Sequence, residues 1–257
     1  MAHNAKPKIL YDNLLEGASL TATDPDSETQ YDVDNIVDLR PYTLHRFGAA
    51  GTKYITADYG EAVSADALGI VGHNLGTAEA TVSVESSANN SDWTERLAGF
   101  QPANDTALMK EFTSASARYW RIKIVTASVT VQIGVALLGE VLTFERWPRS
   151  GLDPDALKIK ASSQTSKTGN MLGATLGYVS REFSLKFQNL TPSWVSNTFV
   201  PAWDAHLELL KPFLLAWDIT NHATEVYFVR LPDNATRAMP YDPVRRSLSL
   251  KLVGVKE

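Results

Sequence analysis

The sequence predicts a mainly β protein, an N-terminal β-sandwich followed by a smaller α+β block. Three observations lead there. Short runs of alternating apolar and polar residues recur through residues 31–146, separated by Gly, Asn and Asp. A breaker-rich stretch follows, Arg146-Trp147-Pro148-Arg149-Ser150-Gly151-Leu152-Asp153-Pro154, where no regular element can continue. Beyond it the texture changes, and a run with helical spacing sits among strands.

The elements follow in chain order. Residues 1–30 hold one short apolar run, Ile9-Leu10-Tyr11, then a polar stretch around Asp24-Pro25-Asp26 that favours turns; they read as an N-terminal extension. Strands are expected at 54–59, 67–72, 80–85, 129–133 and 141–144. In Ala117-Arg118-Tyr119-Trp120-Arg121-Ile122-Lys123-Ile124, alternation puts Trp120, Ile122 and Ile124 on the core face. It also places Arg118 and Arg121 on opposite faces. Residues 147–154 read as a linker and 155–257 as the α+β domain. That domain opens on the strand Arg181-Glu182-Phe183-Ser184-Leu185-Lys186-Phe187. A helix is expected between Pro192 and Pro212, capped by Thr191 and kinked or restarted at Pro201. Its stripe Phe199, Trp203, Leu207 and Leu210 is read as a core contact. Strands at 213–217, 225–229 and 247–252 complete it.

Composition narrows the function classes. Hydrophobic residues make up 44% and charged residues 21% of the 257, as in a globular protein with a sizeable core. A net charge of -5 gives no basic field for nucleic acid or an anionic membrane. The absence of cysteine removes disulfides, thiolate metal sites and Cys nucleophiles. No run approaches the ~18 apolar residues of a membrane span, and Met1-Ala2-His3-Asn4-Ala5-Lys6 has no signal-like apolar region. There is no Gly-x-Ser-x-Gly, no phosphate loop and no His-Glu-x-x-His, and the five histidines are scattered, so no enzyme is expected. The acidic run Asp24, Asp26, Glu28, Asp32, Asp34, Asp38 reads as a solvated loop.

An ordered series of segments carries a resemblance. It comprises Val33 to Asp38, Tyr54 to Gly60, Leu68 to Leu75, Ser86 to Trp93, Ala117 to Ile122 and Glu140-Val141. Together residues 31–146 resemble the discoidin, or coagulation factor V/VIII C-type, family of galactose-binding-like jelly rolls. Residues 150–257, with Arg181 to Leu185, a Trp-containing helix, Lys211-Pro212-Phe213 and Trp217-Asp218, resemble the C-terminal part of phage tail-tip proteins.

The resemblance implies a structural subunit of a bacteriophage tail tip or baseplate, made in the host cytoplasm and residing in the virion. Its partners would be other tail or baseplate proteins, in a homo-oligomeric ring, with host polysaccharide as a further ligand. The alternative is a carbohydrate-binding module that recognises cell-surface polysaccharide. Binding in such sandwiches is implied at the loops of one end. Here Tyr42, His45 and Phe47 in one loop, and His73 and Asn74 in a neighbouring one, are the candidate glycan contacts. A plainer reading of that loop has Phe47 and Leu44 anchoring it and His45 incidental. Trp93 is read as a cap on one end of the sandwich. The resemblance also implies that Arg118 pairs with a carboxylate inside the sandwich end. A structural calcium is implied at Asp38 and Glu140, although Leu39 stands where the family commonly has glycine. No other cofactor is expected.

Overall fold

The computed structural model describes residues 6–149, 153, 157–237 and 244–255. Positions 150–152 and 154–156 of the expected linker lie outside the described residues. The strands, in chain order, are β1 Lys8–Leu10, β2 Ser19–Ala22, β3 His45–Arg46, β4 Gly51–His73, β5 Thr81–Ser87, β6 Thr94–Phe100 and β7 Leu108–Thr126. They continue as β8 Gln132–Gly139, β9 Leu142–Thr143, β10 Leu157–Thr165, β11 Met171–Leu190, β12 Phe213–Ala216, β13 Val226–Arg230 and β14 Arg246–Val255. The protein is mainly β, and every pairing described below is antiparallel.

Two compact units emerge: residues 1–144 with 213–227, and residues 145–212 with 228–257. This differs from the expected four-part division. The first 30 residues contribute β1 and β2, which are hydrogen-bonded into the first unit. The segment Phe213–Tyr227, assigned from sequence to the second block, belongs to the first.

The first unit is a β-sandwich built around two long bent strands. β4 and β7 pair along nearly their whole length, with register breaks between Asp58 and Val63 and between Ala65 and Ala67. At the first break both strands pass from one leaf to the other. One leaf is β2, residues 51–58 of β4, residues 119–126 of β7, β5 and β6. The other is β3, β8, residues 63–73 of β4 and residues 108–117 of β7. Sequence reading placed separate strands at 54–59 and 67–72. The chain joins them because Gly60, at φ 74°, lets the bend occur within one strand.

The interior between the leaves is apolar. Ile55, Trp120, Ile122, Ile124, Val82 and Val84 face Leu68, Ile70, Ile133 and Leu138, each at most 1% exposed. The period-2 reading of Trp120, Ile122 and Ile124 holds. Trp120 Nε1 donates to the Ala117 carbonyl oxygen at 3.1 Å, so the polar edge of this buried ring is satisfied.

The second leaf is buried on its outer face too. Ala67, Val71, Met109, Val135 and Leu137 are fully buried yet lie outside the interior cluster. A strip of β9, β1 and β12 supplies the cover. Gly69 marks the closest approach, where an added Cβ would stand 2.1 Å from Leu214 Cδ1 and 3.2 Å from Leu10 Cδ2.

In the second unit β10, β11, β14 and residues 229–230 of β13 form one sheet. Phe183, Leu185 and Phe187 lie opposite Leu252, Leu250 and Leu248 on its buried face. The expected helix runs from Pro192 to Leu207, with Thr191 Oγ1 accepting from the Trp194 amide. Pro201 does not break it. Wide i→i−5 turns at Val195–Phe199 and Trp203–Leu207 flank it, with Val200 N donating to Val195 O and Glu208 N to Trp203 O. Proline has no N–H to give the turn before it, and widened turns absorb that loss. Phe199, Trp203 and Leu207 are buried as expected. Leu210 departs from the stripe: it lies past the helix end at φ 56° and is partly exposed.

Candidate functional site

The structure separates the residues nominated from the sequence. Gly72, at φ 65°, and Gly134 both present bare backbone to the Pro41 carbonyl oxygen, 2.5 Å from where each Cβ would stand. This seats the 38–43 loop on β4 and β8. Tyr42 then projects outward, 78% exposed.

His45 and Phe47 do not join it. Both are fully buried and meet edge to face at 4.8 Å, so neither can touch a ligand from solvent. The plainer reading of that loop is the one the packing supports for Phe47. His45 Nδ1 lies 3.0 Å from the Tyr31 carbonyl oxygen, which assigns the proton to that nitrogen. His73 is buried as well, its Nδ1 accepting from the Leu75 amide at 3.2 Å. Asn74 is spent on structure: its Nδ2 donates to Thr130 O and its Oδ1 accepts from Gln132 N. These residues hold loops together, and only Tyr42 of the nominated five presents a free aromatic face.

Burial lowers the pKa of both His45 and His73, with desolvation the largest cause in each. A histidine whose folded pKa is depressed stabilises the fold above its unfolded value and loses that contribution as pH falls towards the folded one. The thermal midpoint should therefore hold steady above about pH 6.5 and decline below it. A pH series of melting curves checks this, and His45→Gln should flatten part of the slope.

The implied calcium pair is not assembled. Asp38 is engaged within its own loop, accepting from the Arg40 amide and the Thr43 hydroxyl. That loop sits over Gly134 near one end of β8, whereas Glu140 follows Gly139 at the other end. Glu140 instead neighbours Asp66, whose pKa is raised by burial and then by Glu140 and Glu111. Among the described residues no group of three or more His, Cys, Asp or Glu is placed to hold an ion.

Arg118 does find a carboxylate, but at the surface. It donates to both Asp58 oxygens at 2.8 and 2.9 Å, with side chains 44% and 34% exposed. Arg118 holds the Asp58 pKa down at about 2. Asp58 belongs to the Asp58-Tyr59-Gly60 strand end that carried part of the family resemblance.

The arrangement best suited to a ligand was missed in the sequence, although its segment was noticed. The β5–β6 turn is Ala88-Asn89-Asn90-Ser91-Asp92-Trp93. Asn89 Oδ1 accepts from the Ser91 and Asp92 amides, and Asn90 takes φ 60°, as asparagine tolerates. The turn folds over the sandwich edge and leaves a polar recess of about 320 Å³. Ser86, Ser87, Asn89, Asp92, Arg96 and Ser116 are among its lining residues. Part of this set is tied together: Arg96 Nε donates to Ser86 Oγ, and Asn89 Nδ2 to Asp92 Oδ2. The other Asp92 oxygen, the rest of the Arg96 fork and the Ser116 hydroxyl remain for a ligand.

Trp93 lies between two lining residues, Asp92 and Thr94. It does not simply cap the sandwich. The Arg121 guanidinium stacks between Trp93, at 3.9 Å, and Tyr54, at 4.3 Å. Glu85 fixes that guanidinium from the next strand at 2.5 Å and accepts from Lys123 at 3.4 Å. A polar turn crowded with Ser, Asn and Asp and ending on Trp was the signal available. Only the fold shows that Ser116 and Arg96 complete it.

No family model and no curated protein matches the chain. Solved structures do. A Clostridium perfringens module, CpGH89CBM32-6, shares 20% identity over 49% of this chain and 98% of its own length, with a TM-score of 0.41. The CBM32 of AlyQ, solved with 4,5-unsaturated mannuronic acid, shares 21% identity over 50% of this chain and 96% of its own, at a TM-score of 0.41. Chitosan-binding module 1 of a Paenibacillus chitosanase/glucanase shares 15% identity over 49% of this chain and 98% of its own, also at 0.41.

Proposed function

We propose that the chain is a non-catalytic glycan-binding protein that holds a saccharide in the recess of the β5–β6 turn. The observation that supports this is the convergence there of hydroxyl, amide, carboxylate and guanidinium groups on a rigid sheet edge, in a recess of about 320 Å³. That size suits a small ligand. Sugars offer paired hydroxyls that both donate and accept, and Asp92 with Arg96 and Ser116 can serve both roles. Trp93, stacked on Arg121, lies on the opposite face of the sheet from Ser86 and Arg96, so the polar groups of the recess carry the contact.

Binding of the full chain to a glycan array, followed by titration of the best ligand, tests the reading. Asp92→Ala and Arg96→Ala should each weaken binding about tenfold, the loss of a charged hydrogen bond. The melting curve should hold nearly steady, because both side chains lie at the rim. A chain that binds no glycan even when presented multivalently, or binds one unaffected by both substitutions, ends the proposal.

One observation favours a second reading, assembly into a larger particle as a tail-tip or baseplate subunit. The β10–β11 hairpin carries Ile159, Met171, Leu172 and Leu176 more than 60% exposed. Electron microscopy of labelled virions that found no copy of the chain would reject that location.

A further inference from the structure

We propose that Asn89 and Ser86 are positioning residues that hold Asp92 and Arg96 apart in the β5–β6 recess, so that a ligand, and not an ion pair, joins the two charges. The proposal rests on the glycan reading of this recess. Opposite charges that line one recess of about 320 Å³ would ordinarily close onto each other. Among the described residues Asp92 and Arg96 form no ion pair, either with one another or with a third residue. Each is tied instead to a neutral neighbour.

Asn89 serves Asp92. Its Oδ1 accepts from the Ser91 amide at 3.0 Å, the Asp92 amide at 2.9 Å and the Ser87 hydroxyl at 3.1 Å. Donors on that atom settle which end of the amide is oxygen. Nδ2 therefore faces Asp92 and donates to its Oδ2 at 2.7 Å. One end of the Asn89 side chain builds the turn, and the other grips the carboxylate. The second carboxylate oxygen stays open to a ligand.

Ser86 serves Arg96. It is 1% exposed, and the register Ser86↔Thr94 puts it on the same face as Thr94 and Arg96. Arg96 Nε donates to Ser86 Oγ at 2.8 Å. With Nε held, the planar guanidinium keeps both Nη groups for a partner.

The turn is also fixed from behind. Trp93 follows Asp92 and lies on the opposite face, where the Arg121 guanidinium stacks on it at 3.9 Å and on Tyr54 at 4.3 Å. Glu85 holds Arg121 at 2.5 Å, with its own side chain only 10% exposed. Residues of β4, β5 and β7 thus anchor the neighbour of Asp92. The sandwich itself gains little from the two braces, because Asn89, Asp92 and Arg96 are exposed. Their effect is to order two side chains before a ligand arrives, about two- to tenfold in affinity for each.

The test uses the full chain and three fixed probes, galactose, glucuronate and glucosamine, beside the best ligand from a glycan array. Asn89→Asp keeps an oxygen for the turn amides but replaces the Nδ2 donor with an oxygen that repels Asp92. Ser86→Ala removes the other brace. Each should weaken binding about two- to tenfold with the melting midpoint unmoved. Asn89→Asp should cost nothing further in an Asp92→Ala background, nor Ser86→Ala in an Arg96→Ala background. A second readout needs no ligand. By NMR the Arg96 Nε–H should exchange several-fold faster in Ser86→Ala, and the Asn89 Nδ2 protons several-fold faster in Asp92→Ala. Additive losses in the two cycles, full affinity in both brace variants, or exchange indifferent to the substitutions overturns the inference. A chain that binds no saccharide yet shows both exchange effects ends the glycan reading and leaves the braced pair standing.

Discussion

Trp120→Ala is expected to destabilise the first unit by about 3–5 kcal/mol, the cost of emptying a large aromatic site in a packed core. Trp120 is fully buried at the centre of β7. It sits opposite Ala57 on one side and Ser86 on the other. Its nearest ring is Phe112, 6.0 Å away on the part of β7 that has crossed to the other leaf. The cavity would lie where both leaves meet, and small neighbours such as Ala57 cannot fill it. Against a typical domain stability of about 5–15 kcal/mol, a loss of this size leaves the sandwich marginal. Trp120→Phe should cost markedly less, since it keeps most of the volume and gives up only the hydrogen bond to Ala117. Urea titration followed by tyrosine fluorescence or circular dichroism separates the two. A Trp120→Ala variant with an unchanged midpoint would show that the residue is not a core anchor.

That residue was legible from the sequence because alternation on a strand is a local signal. Tyr119, Arg121 and Lys123 face out and Trp120, Ile122 and Ile124 face in, whatever the rest of the fold does. The same applies to Thr191 and Pro192 at the helix start. Legibility ended where partners come from far along the chain. Phe47 and His45 stand in a loop rich in polar residues and look exposed there. They are buried because β3 pairs with residues 132–133 of β8, some 87 positions on. The recess at the β5–β6 turn shows the converse. Ser86 to Asp92 were visible as a polar turn, but Ser116 reaches them from β7 and Arg96 from β6 only once the strands are in register. The hairpin failed for another reason. Its residues 171–178 mix Gly, Ala, Thr and Leu with no clean period, since two bulges break the alternation that strand reading depends on.

The largest expected effect concerns where the first unit ends. A fragment of residues 31–146, the span the family resemblance covers, should express as an aggregate and not as a folded sandwich. It lacks β1 and β12, which cover the outer face of the second leaf. Without them Ala67, Val71, Met109, Val135 and Leu137 would pass from full burial to solvent as one contiguous patch. Five such side chains at roughly 1–3 kcal/mol each are comparable to the whole stability of an ordinary domain. Exposed apolar sheet of this kind also nucleates association. The fragment also loses β2, which pairs with β4 over residues 55–58. Point substitution in the full chain isolates the same contact. Gly69→Val should cost about 1–3 kcal/mol, because its Cβ would stand 2.1 Å from Leu214 Cδ1 and force that side chain to repack. Leu214→Ala should cost about 2–5 kcal/mol by opening the cavity from the other side. The double variant should recover part of the loss, since the side chain added at 69 would occupy the space vacated at 214. Such non-additivity is the mark of direct contact. A soluble 31–146 fragment with cooperative melting, or strictly additive costs in the pair, would place the cover of the second leaf elsewhere. Glycan binding is therefore to be measured on the full chain, where the strand register that assembles the β5–β6 recess is supported from both sides.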